Sequence, residues 1–243
     1  MNWIGRANLE QANYPEAEIW YQRSLDVEGD SFSHASAVAL HELSRIALLR
    51  GEYDEARKKS EGVQKIMQQV GDRAGEASTW HNLATIDLAR GEYEAACQKL
   101  EKALDIRQQI GDRAGEAATL HQLATIDLRR GEYDSAFQKF ETALGIEKRI
   151  GDRAGEAATF FQLGQLTAEL GQLAGGVRLV ALCYLIDASI GHGDAQSDFQ
   201  SLSGMASKLN YTQEQFEAML REVAESYQRD RGRSLIDAAF GED

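Results

Sequence analysis

The sequence is poor in proline, in cysteine and in positive charge. Proline occurs once among 243 residues, at Pro15. Since proline disrupts helix interiors, its scarcity favours an almost wholly helical protein. The two cysteines, Cys97 and Cys183, have no CxxC neighbour, so we expect neither a disulfide nor a metal pair. Both are predicted to be small buried apolar residues, as free cysteines commonly are.

Acidic residues outnumber basic ones, and the formal net charge is −13. This balance argues against a general nucleic-acid or anionic-membrane binder, because either needs a positive face. It mildly favours a basic or neutral partner. No uninterrupted apolar run of about 18 residues occurs, and the chain does not open with a secretory signal. We therefore expect a soluble, cytoplasmic protein with no nucleic-acid and no membrane partner.

Motifs of the common enzyme classes are missing. The sequence contains no GxxxxGK[ST], no HExxH and no GxSxG. The segment from His192 to Asp194 is glycine-rich and has the composition of a turn. The sequence thus predicts a protein that is not an enzyme, with no catalytic residue, no cofactor and no metal ligand.

Repetition is the dominant feature of the chain. The stretch Gly71–Ile110 returns as Gly111–Ile150, and both open with GDRAGEA. The same letters begin a third copy at Gly151, so the spacing is 40 residues each time. A fixed period of this size is the signature of a solenoid of stacked units.

Each copy contains two helical patterns separated by a glycine. Gly91 suits the left-handed residue that ends a helix, and Gly71 has the same role at the boundary between copies. Asp72 follows as a natural N-cap. The apolar residues at three- and four-residue steps are Ala77, Trp80, Leu83 and Ala84 in the first helix, then Tyr93, Ala96, Leu100, Ala103 and Leu104 in the second.

These residues, with Gly91, resemble the signature of the tetratricopeptide repeat. The period of 40 is longer than the family's usual 34, and Gln108 stands where the family has a closing proline. The sequence is therefore similar to the long-repeat class of kinesin light chains and bacterial signalling regulators. The resemblance implies an all-α, right-handed α-solenoid of about four and a half antiparallel helix pairs. It also implies a module that binds other proteins.

The resemblance extends over residues 1–190. We expect a partial unit over 1–30 and full units over 31–70, 71–110, 111–150 and 151–190. Residues 191–243 are predicted to form a C-terminal helical cap, with helices at about 195–209, 213–229 and 232–239. This tail resembles segments that end long-repeat arrays in bacterial signalling NTPases. The partial unit begins in the middle of its first helix, which indicates either a piece of a longer protein or a chain that covers its open end by self-association.

One face of each first helix is expected to line the concave groove of the solenoid. At 100° per residue, positions such as 81, 82 and 85 fall on that face, while Trp80, Ala84 and Asp87 face the packing partner. Asn, Gln, Thr and His side chains suit an extended peptide backbone, since they both donate and accept hydrogen bonds. The predicted peptide-binding residues are His41, Glu42, Arg45, His81, Asn82, Thr85, His121, Gln122, Thr125, Phe161, Gln162 and Gln165.

The histidine column has a structural alternative. Because the units are near-copies, each imidazole could simply hydrogen-bond to a neighbouring helix. A metal shared between His columns is disfavoured, since successive helices lie roughly 10 Å apart. If the histidines contact a ligand, binding should respond to pH near neutrality.

Two charged positions have expected partners. Arg73 and Arg153 are spaced to pair with Glu76 and Glu156 on the first turn of the first helix. Asp87 and its repeat Asp127 face inward, and a buried carboxylate needs a partner, which the sequence does not identify beyond a Lys or Tyr of a second helix.

Two functional hypotheses follow from these patterns. The first is a scaffold that binds a protein or peptide in the groove, as the sensor or recruitment part of a bacterial signalling protein. The second is a self-assembly module that forms a homo-oligomer or a domain-swapped dimer. For stability, we expect Trp80→Ala to cost roughly 3–5 kcal/mol as a core truncation, and Lys99→Ala, on a face expected to be exposed, to cost little.

Overall fold

A computed structural model describes Arg6, residues 13–28 and residues 33–241. These described residues form twelve α-helices and no strand, as the sequence predicted. The chain divides into two compact units, residues 1–115 and residues 116–243. The helices are α1 (Tyr14–Glu28), α2 (His34–Leu49), α3 (Tyr53–Val70), α4 (Arg73–Ala89), α5 (Tyr93–Ile110), α6 (Arg113–Arg130), α7 (Tyr133–Ile150), α8 (Arg153–Glu169), α9 (Leu173–Ile190), α10 (Ala195–Ser207), α11 (Gln213–Asp230) and α12 (Arg233–Phe240).

The turns between helices follow the predicted glycine chemistry. Gly91 has a φ of 77°, the left-handed conformation that glycine adopts without steric cost. The following amide, that of Glu92, donates to the carbonyl of Asp87 at 2.8 Å, which satisfies the end of α4. At the unit boundary, Asp72 Oδ1 accepts from the amide of Gly75 at 2.9 Å and caps the start of α4. Because the connection between α4 and α5 is this short, these two helices are antiparallel neighbours.

In the N-terminal unit, apolar clusters lie between neighbouring helices. Leu43 and Ile46 of α2 pack with Tyr21 of α1. On its other side α2 contributes Ala37, which packs with Val63 and other residues of α3. This arrangement is what the repeat predicts, since each helix pair buries its apolar stripe against the next pair.

In the C-terminal unit one large cluster joins the last repeats to the helices that follow them. It contains Phe140 of α7, Phe160 of α8, Leu182 of α9 and Val223 of α11, all at most 1% exposed. The close packing of α8 on α9 depends on glycine: a Cβ at Gly176 would lie 2.6 Å from the carbonyl oxygen of Gly164.

Helix α9 is also the one helix of the described residues that is long and apolar enough to cross a membrane by length and composition alone. Half of this segment is buried within the protein. It packs against α8, α10, α11 and α12, which is the environment of a core helix.

The three terminal helices lie close to their predicted positions. Thr212 caps α11: its Oγ1 accepts from the amide of Gln215, and the Gln215 side chain accepts from the amide of Thr212 at 2.9 Å. This arrangement is a capping box. The truncated first helix, predicted before residue 13, lies outside the described residues apart from Arg6. The predicted boundary near residue 190 stays a prediction.

Candidate functional site

The N-terminal unit places half of the predicted groove residues on α2 and α4. His41, Glu42 and Arg45 lie on α2, and Asn82 and Thr85 lie on α4. Glu42 and Arg45 form an ion pair of 2.8 Å, with the Arg45 side chain half exposed. All of these side chains reach the surface to some extent, because they occupy the helix face opposite the packed residues Ala84 and Asp87.

The surface between α2 and α4 contains two cavities that share His41 and Asn82. The Asn82 Nδ2 and His41 Nδ1 atoms are 3.0 Å apart, so the two side chains form a hydrogen bond between successive repeats. On one side of this bond lies a cavity of about 190 Å³, and on the other lies one of about 370 Å³. The smaller is lined by His41, Ser44, Arg45, Leu48, Asn82, Thr85 and Ile86, and the larger by Arg6, His34, Ala37, Val38, His41, Glu42, Val63, Met67, Gly75, Ser78, Thr79 and Asn82.

The larger cavity has an apolar floor that the sequence did not predict. Val63 and Met67 of α3 are buried and reach the cavity from behind, together with Ala37 of α2. The groove had been assigned to first helices only, so residues of a second helix were left out. Helical periodicity identifies which face of α3 is apolar, but it does not show that the packing leaves part of that face open.

His81 lies in a different environment from His41. Its Nδ1 atom is buried and has no hydrogen-bond partner among the described residues. Burial, with a smaller contribution from the positive charge of Arg107, lowers the pKa of His81 to about 4. His81 is therefore neutral at physiological pH, and the expectation that this histidine would sense pH near neutrality is wrong. Thr85 donates its hydroxyl to the backbone carbonyl of His81 at 3.1 Å, which leaves its oxygen as an acceptor only.

The remaining predicted groove residues belong to the C-terminal unit, and several of them have packing contacts. His121 Nδ1 lies 3.2 Å from Thr159 Oγ1, and the imidazole contacts the ring of Phe140 edge-on. Phe161 packs against the large apolar cluster. Thr125 donates to the backbone carbonyl of His121 at 2.9 Å. Gln122, Gln162 and Gln165 are half-buried, and the Oε1 atom of Gln122 has no partner among the described residues.

The His121 contact extends into a buried network with a titratable carboxyl group. Thr159 Oγ1 donates to Glu147, whose Oε2 lies 2.9 Å away, and Glu147 is only 3% exposed. Burial raises the pKa of Glu147 to about 7, although the hydrogen bond from Thr159 partly opposes the shift. Burial also lowers the pKa of His121. In this unit the structural alternative for the histidine column, a hydrogen bond to a neighbouring helix, therefore describes His121.

The structure identifies the partners of the inward-facing aspartates. Asp87 is fully buried and binds Arg57 Nη2 of α3 at 2.8 Å together with the ammonium group of Lys99 of α5. The expectation that Lys99 lies on an exposed face is wrong, because the side chain of Lys99 is only 22% exposed and neutralises a buried charge. Asp127 of the C-terminal unit is bound in the same way by Lys139, and it also accepts from Ser135 Oγ at 2.7 Å.

The predicted arginine–glutamate ion pair on the first turn of the first helix forms in the N-terminal unit but not in the C-terminal unit. Arg73 binds Glu76 at 2.5 Å, as predicted. In the C-terminal unit Arg153 and Glu156 do not pair with each other. They contact Tyr227 of α11, and Glu156 also contacts Arg231, the residue that follows α11. Glu156 binds Arg231 and accepts from Tyr227 Oη at 2.7 Å, while Arg153 donates to the same Tyr227 hydroxyl.

The geometry and the repeat agree with a family match. The family model of the tetratricopeptide repeat matches residues 35–109, 75–149 and 115–174, which together span more than half of the chain. The chain belongs to the tetratricopeptide repeat family. A search of curated protein sequences found no match.

Solved structures with a similar fold include three proteins that are each less than 25% identical to this chain. Aspartyl phosphate phosphatase F from Bacillus subtilis is 16% identical, with a TM-score of 0.71 over 98% of this chain and 67% of that one. A Rap protein complexed with Competence and Sporulation Factor is 12% identical, with a TM-score of 0.61 over 85% and 62% of the two chains. A Signal Transduction ATPase with Numerous Domains from Pyrococcus horikoshii, described as having a tetratricopeptide repeat sensor, is 17% identical. Its TM-score is 0.63 over 97% of this chain and 39% of that one.

Proposed function

We propose that the chain is a binding scaffold that takes a peptide or protein segment between α2 and α4, with His41 and Asn82 at the centre of the site. The observation that carries this proposal is the pair of cavities on either side of the His41–Asn82 hydrogen bond. Imidazole and carboxamide groups can both donate and accept, so a peptide backbone can replace this bond with its own hydrogen bonds.

The two cavities suit different parts of such a segment. The apolar floor of the larger cavity, formed in part by Val63 and Met67, can bury a side chain of the ligand. The polar and charged rim, with Glu42 and Arg45, can contact the ligand backbone and any charged side chains beside it. Because the helices that form the walls are packed before the ligand arrives, little ordering entropy is lost on binding.

In the C-terminal unit we assign Gln122, Gln162 and Gln165 as further ligand contacts. They lie on the equivalent face of α6 and α8 and retain exposed surface. His121 and Phe161 are assigned a packing role, because their contacts are with Thr159 and with the apolar cluster.

The recruitment or sensor part of a bacterial signalling protein is the biological setting that we propose. It is supported by the shared fold with a Rap protein solved with a bound factor and with an ATPase whose repeats are described as a sensor. No catalytic role is proposed for the chain.

A selection experiment tests the proposed site. Peptides from a random displayed library are selected against the full chain, and the dissociation constants of the selected peptides are measured by titration calorimetry. The double variant His41→Ala/Asn82→Ala should bind at least tenfold more weakly, because two hydrogen bonds of about 1 kcal/mol each are lost.

The control is Gln98→Ala, an exposed residue of α5 that lines neither cavity. It should leave the dissociation constants unchanged. Selected peptides that bind the double variant as tightly as the unaltered chain would show that the binding site lies elsewhere.

A further inference from the structure

Three side chains that can bind a metal ion meet where α9 packs on α10 in the C-terminal unit. Cys183 and Asp187 are one helical turn apart on α9 and so lie on the same face. Asp198 comes from the first turn of α10. The thiol sulfur and one oxygen of each carboxylate all lie within 4.8 Å of one another, and all three residues are buried.

Three other buried carboxylates in the described part of the chain are neutralised by cations. Asp87 is bound by Arg57 and Lys99, and Asp127 is bound by Lys139. Glu156, fully buried in the same unit as the cluster, is bound by Arg231. The fold thus supplies a positive charge at each of these positions, as the cost of burying a lone carboxylate requires.

The carboxylates of the cluster differ from these. Asp187 and Asp198 are 4% and 7% exposed, and among the described residues neither forms an ion pair with a lysine or an arginine. The Oδ1 atom of Asp187 and the Oδ2 atom of Asp198 have no hydrogen-bond partner in the described part of the chain. Two buried carboxylates therefore face each other and a thiol with their negative charge uncompensated by a lysine or arginine.

Electrostatics within the cluster reflect this imbalance. Burial and the adjacent Asp198 raise the pKa of Asp187 to about 6. Burial and the same carboxylates raise the pKa of the Cys183 thiol far above its usual range. A bound cation would reverse both shifts, because it favours the carboxylate and thiolate forms.

We propose that Cys183, Asp187 and Asp198 bind one zinc ion that joins α10 to the last repeat. Zinc is commonly held by thiolate and carboxylate ligands, and ligand atoms around a tetrahedral zinc lie roughly 3.5 Å apart. Side-chain rotations can bring these atoms to that separation from their present arrangement. His192, on the exposed turn between the two helices, lies beside the cluster with its Nδ1 atom 3.5 Å from Asp187 Oδ2. It is a positioning residue whose imidazole lies within ion-pair distance of a ligating carboxylate.

The sequence did not reveal this site because its ligands have no metal-binding spacing. Cys183 stands where Ala103 and Ala143 stand in the preceding repeats, and it was interpreted as one more small core residue. That equivalence supplies a well-matched variant. Cys183→Ala places in the fifth repeat the residue that is fully buried at the same position in the third and fourth, so it should fold.

The test uses the full chain after treatment with a chelator. Zinc titration should show one ion per chain and should raise the melting temperature, since zinc binds the folded state. Cobalt should bind in its place and produce a thiolate-to-cobalt absorption band. Cys183→Ala should abolish that band and weaken zinc binding at least tenfold. Asp198→Asn should also weaken zinc binding at least tenfold. His192→Ala should weaken zinc binding by about 10- to 100-fold, the usual effect of losing an outer-shell partner.

Cys97→Ala, which removes the other buried cysteine, is the control and should change neither the cobalt band nor the zinc affinity. The proposal is overturned if zinc fails to raise the melting temperature of the unaltered chain, or if Cys183→Ala retains full affinity.

Discussion

Trp80 of the N-terminal unit and Phe160 of the C-terminal unit occupy the same place in the first helix of their repeats, yet their surroundings differ. Trp80 is half-buried, and the ammonium group of Lys102 lies 4.4 Å from the centre of its ring. Phe160 is fully buried, with the ring of Tyr227 edge-on to it. Tyr227 belongs to α11, so one of the terminal helices contributes to the burial of Phe160.

The comparison shows that side chains at equivalent repeat positions contribute differently to the free energy of unfolding. In the N-terminal unit, the clusters that include residues of α2 lie between adjacent helices. In the C-terminal unit α10, α11 and α12 extend the repeat core into one large cluster. The terminal helices also change the ion pairing of the buried carboxylate Glu156. Its cation is Arg231, at the end of α11, rather than Arg153 of its own helix.

The largest expected effect on stability comes from truncating the two equivalent aromatic side chains, Phe160 and Trp80. Phe160→Ala should lower the free energy of unfolding by about 3–5 kcal/mol, because it removes a fully buried aromatic side chain. Trp80→Ala should cost about 2 kcal/mol, less than the sequence alone suggested, since half-exposed Trp80 loses less burial. Denaturant unfolding of the full chain, followed separately for each transition if two appear, measures both. Equal losses would show that the terminal helices add nothing at this position.

A second expected effect is a pH dependence of stability that arises at one position of the second helix in the C-terminal unit only. Glu147 of the C-terminal unit stands where the N-terminal unit has Met67 and Arg107. Its pKa is raised from an ordinary value of 4.5 to about 7. The folded state therefore binds more protons between these values. The contribution of Glu147 to stability is fully present below pH 4.5 and is lost as the pH rises through 7.

Glu147→Gln should mimic the protonated form at every pH. The variant should match the unaltered chain near pH 4.5 and exceed its unfolding free energy above pH 7 by on the order of 3 kcal/mol. The difference in unfolding free energy between the variant and the unaltered chain is the quantity to measure. The lowered pKa of His121 makes stability rise with pH, opposite to the effect of Glu147, and this contribution is the same in both proteins. A difference that does not change with pH would show that Glu147 is charged in the folded state throughout.

The smallest expected effect compares two equivalent lysines. Lys139→Ala leaves buried Asp127 with the Ser135 hydroxyl as its one side-chain partner among the described residues, so it should cost about 2–3 kcal/mol. Lys99→Ala leaves Asp87 bound to Arg57 at 2.8 Å and should cost about 1 kcal/mol. Thermal unfolding of the two variants ranks them, with exposed Gln98→Ala as the neutral control. The reverse order would indicate that Arg57 does not neutralise Asp87.

Local features of the sequence were reliable guides to local structure. The glycine at each turn, the aspartate cap before α4 and the capping box of α11 all form as their residue types predict. The helix face with Asn82 and Thr85 reaches the surface, as its spacing indicated. These features depend on residues a few positions apart, whose relative placement a helix fixes.

Features that join distant positions were less predictable. Lys99 was expected to be exposed, and Arg153 was expected to pair with Glu156, because only neighbours within one helix were considered. The floor of the larger cavity and the junction of Cys183 with Asp198 also combine residues of different helices. Such pairs depend on how helices pack, which the period of one helix does not specify.

The sequence by itself determined that this protein is a series of helix pairs with a 40-residue period, because a repeated apolar stripe can be buried only by stacking. The tertiary structure decided which equivalent positions are covered, which buried charges receive a cation and where the surface opens into cavities. The physical reason is that burial and ion pairing depend on every helix within reach of a side chain, whereas the repeat pattern describes only the helix to which that side chain belongs.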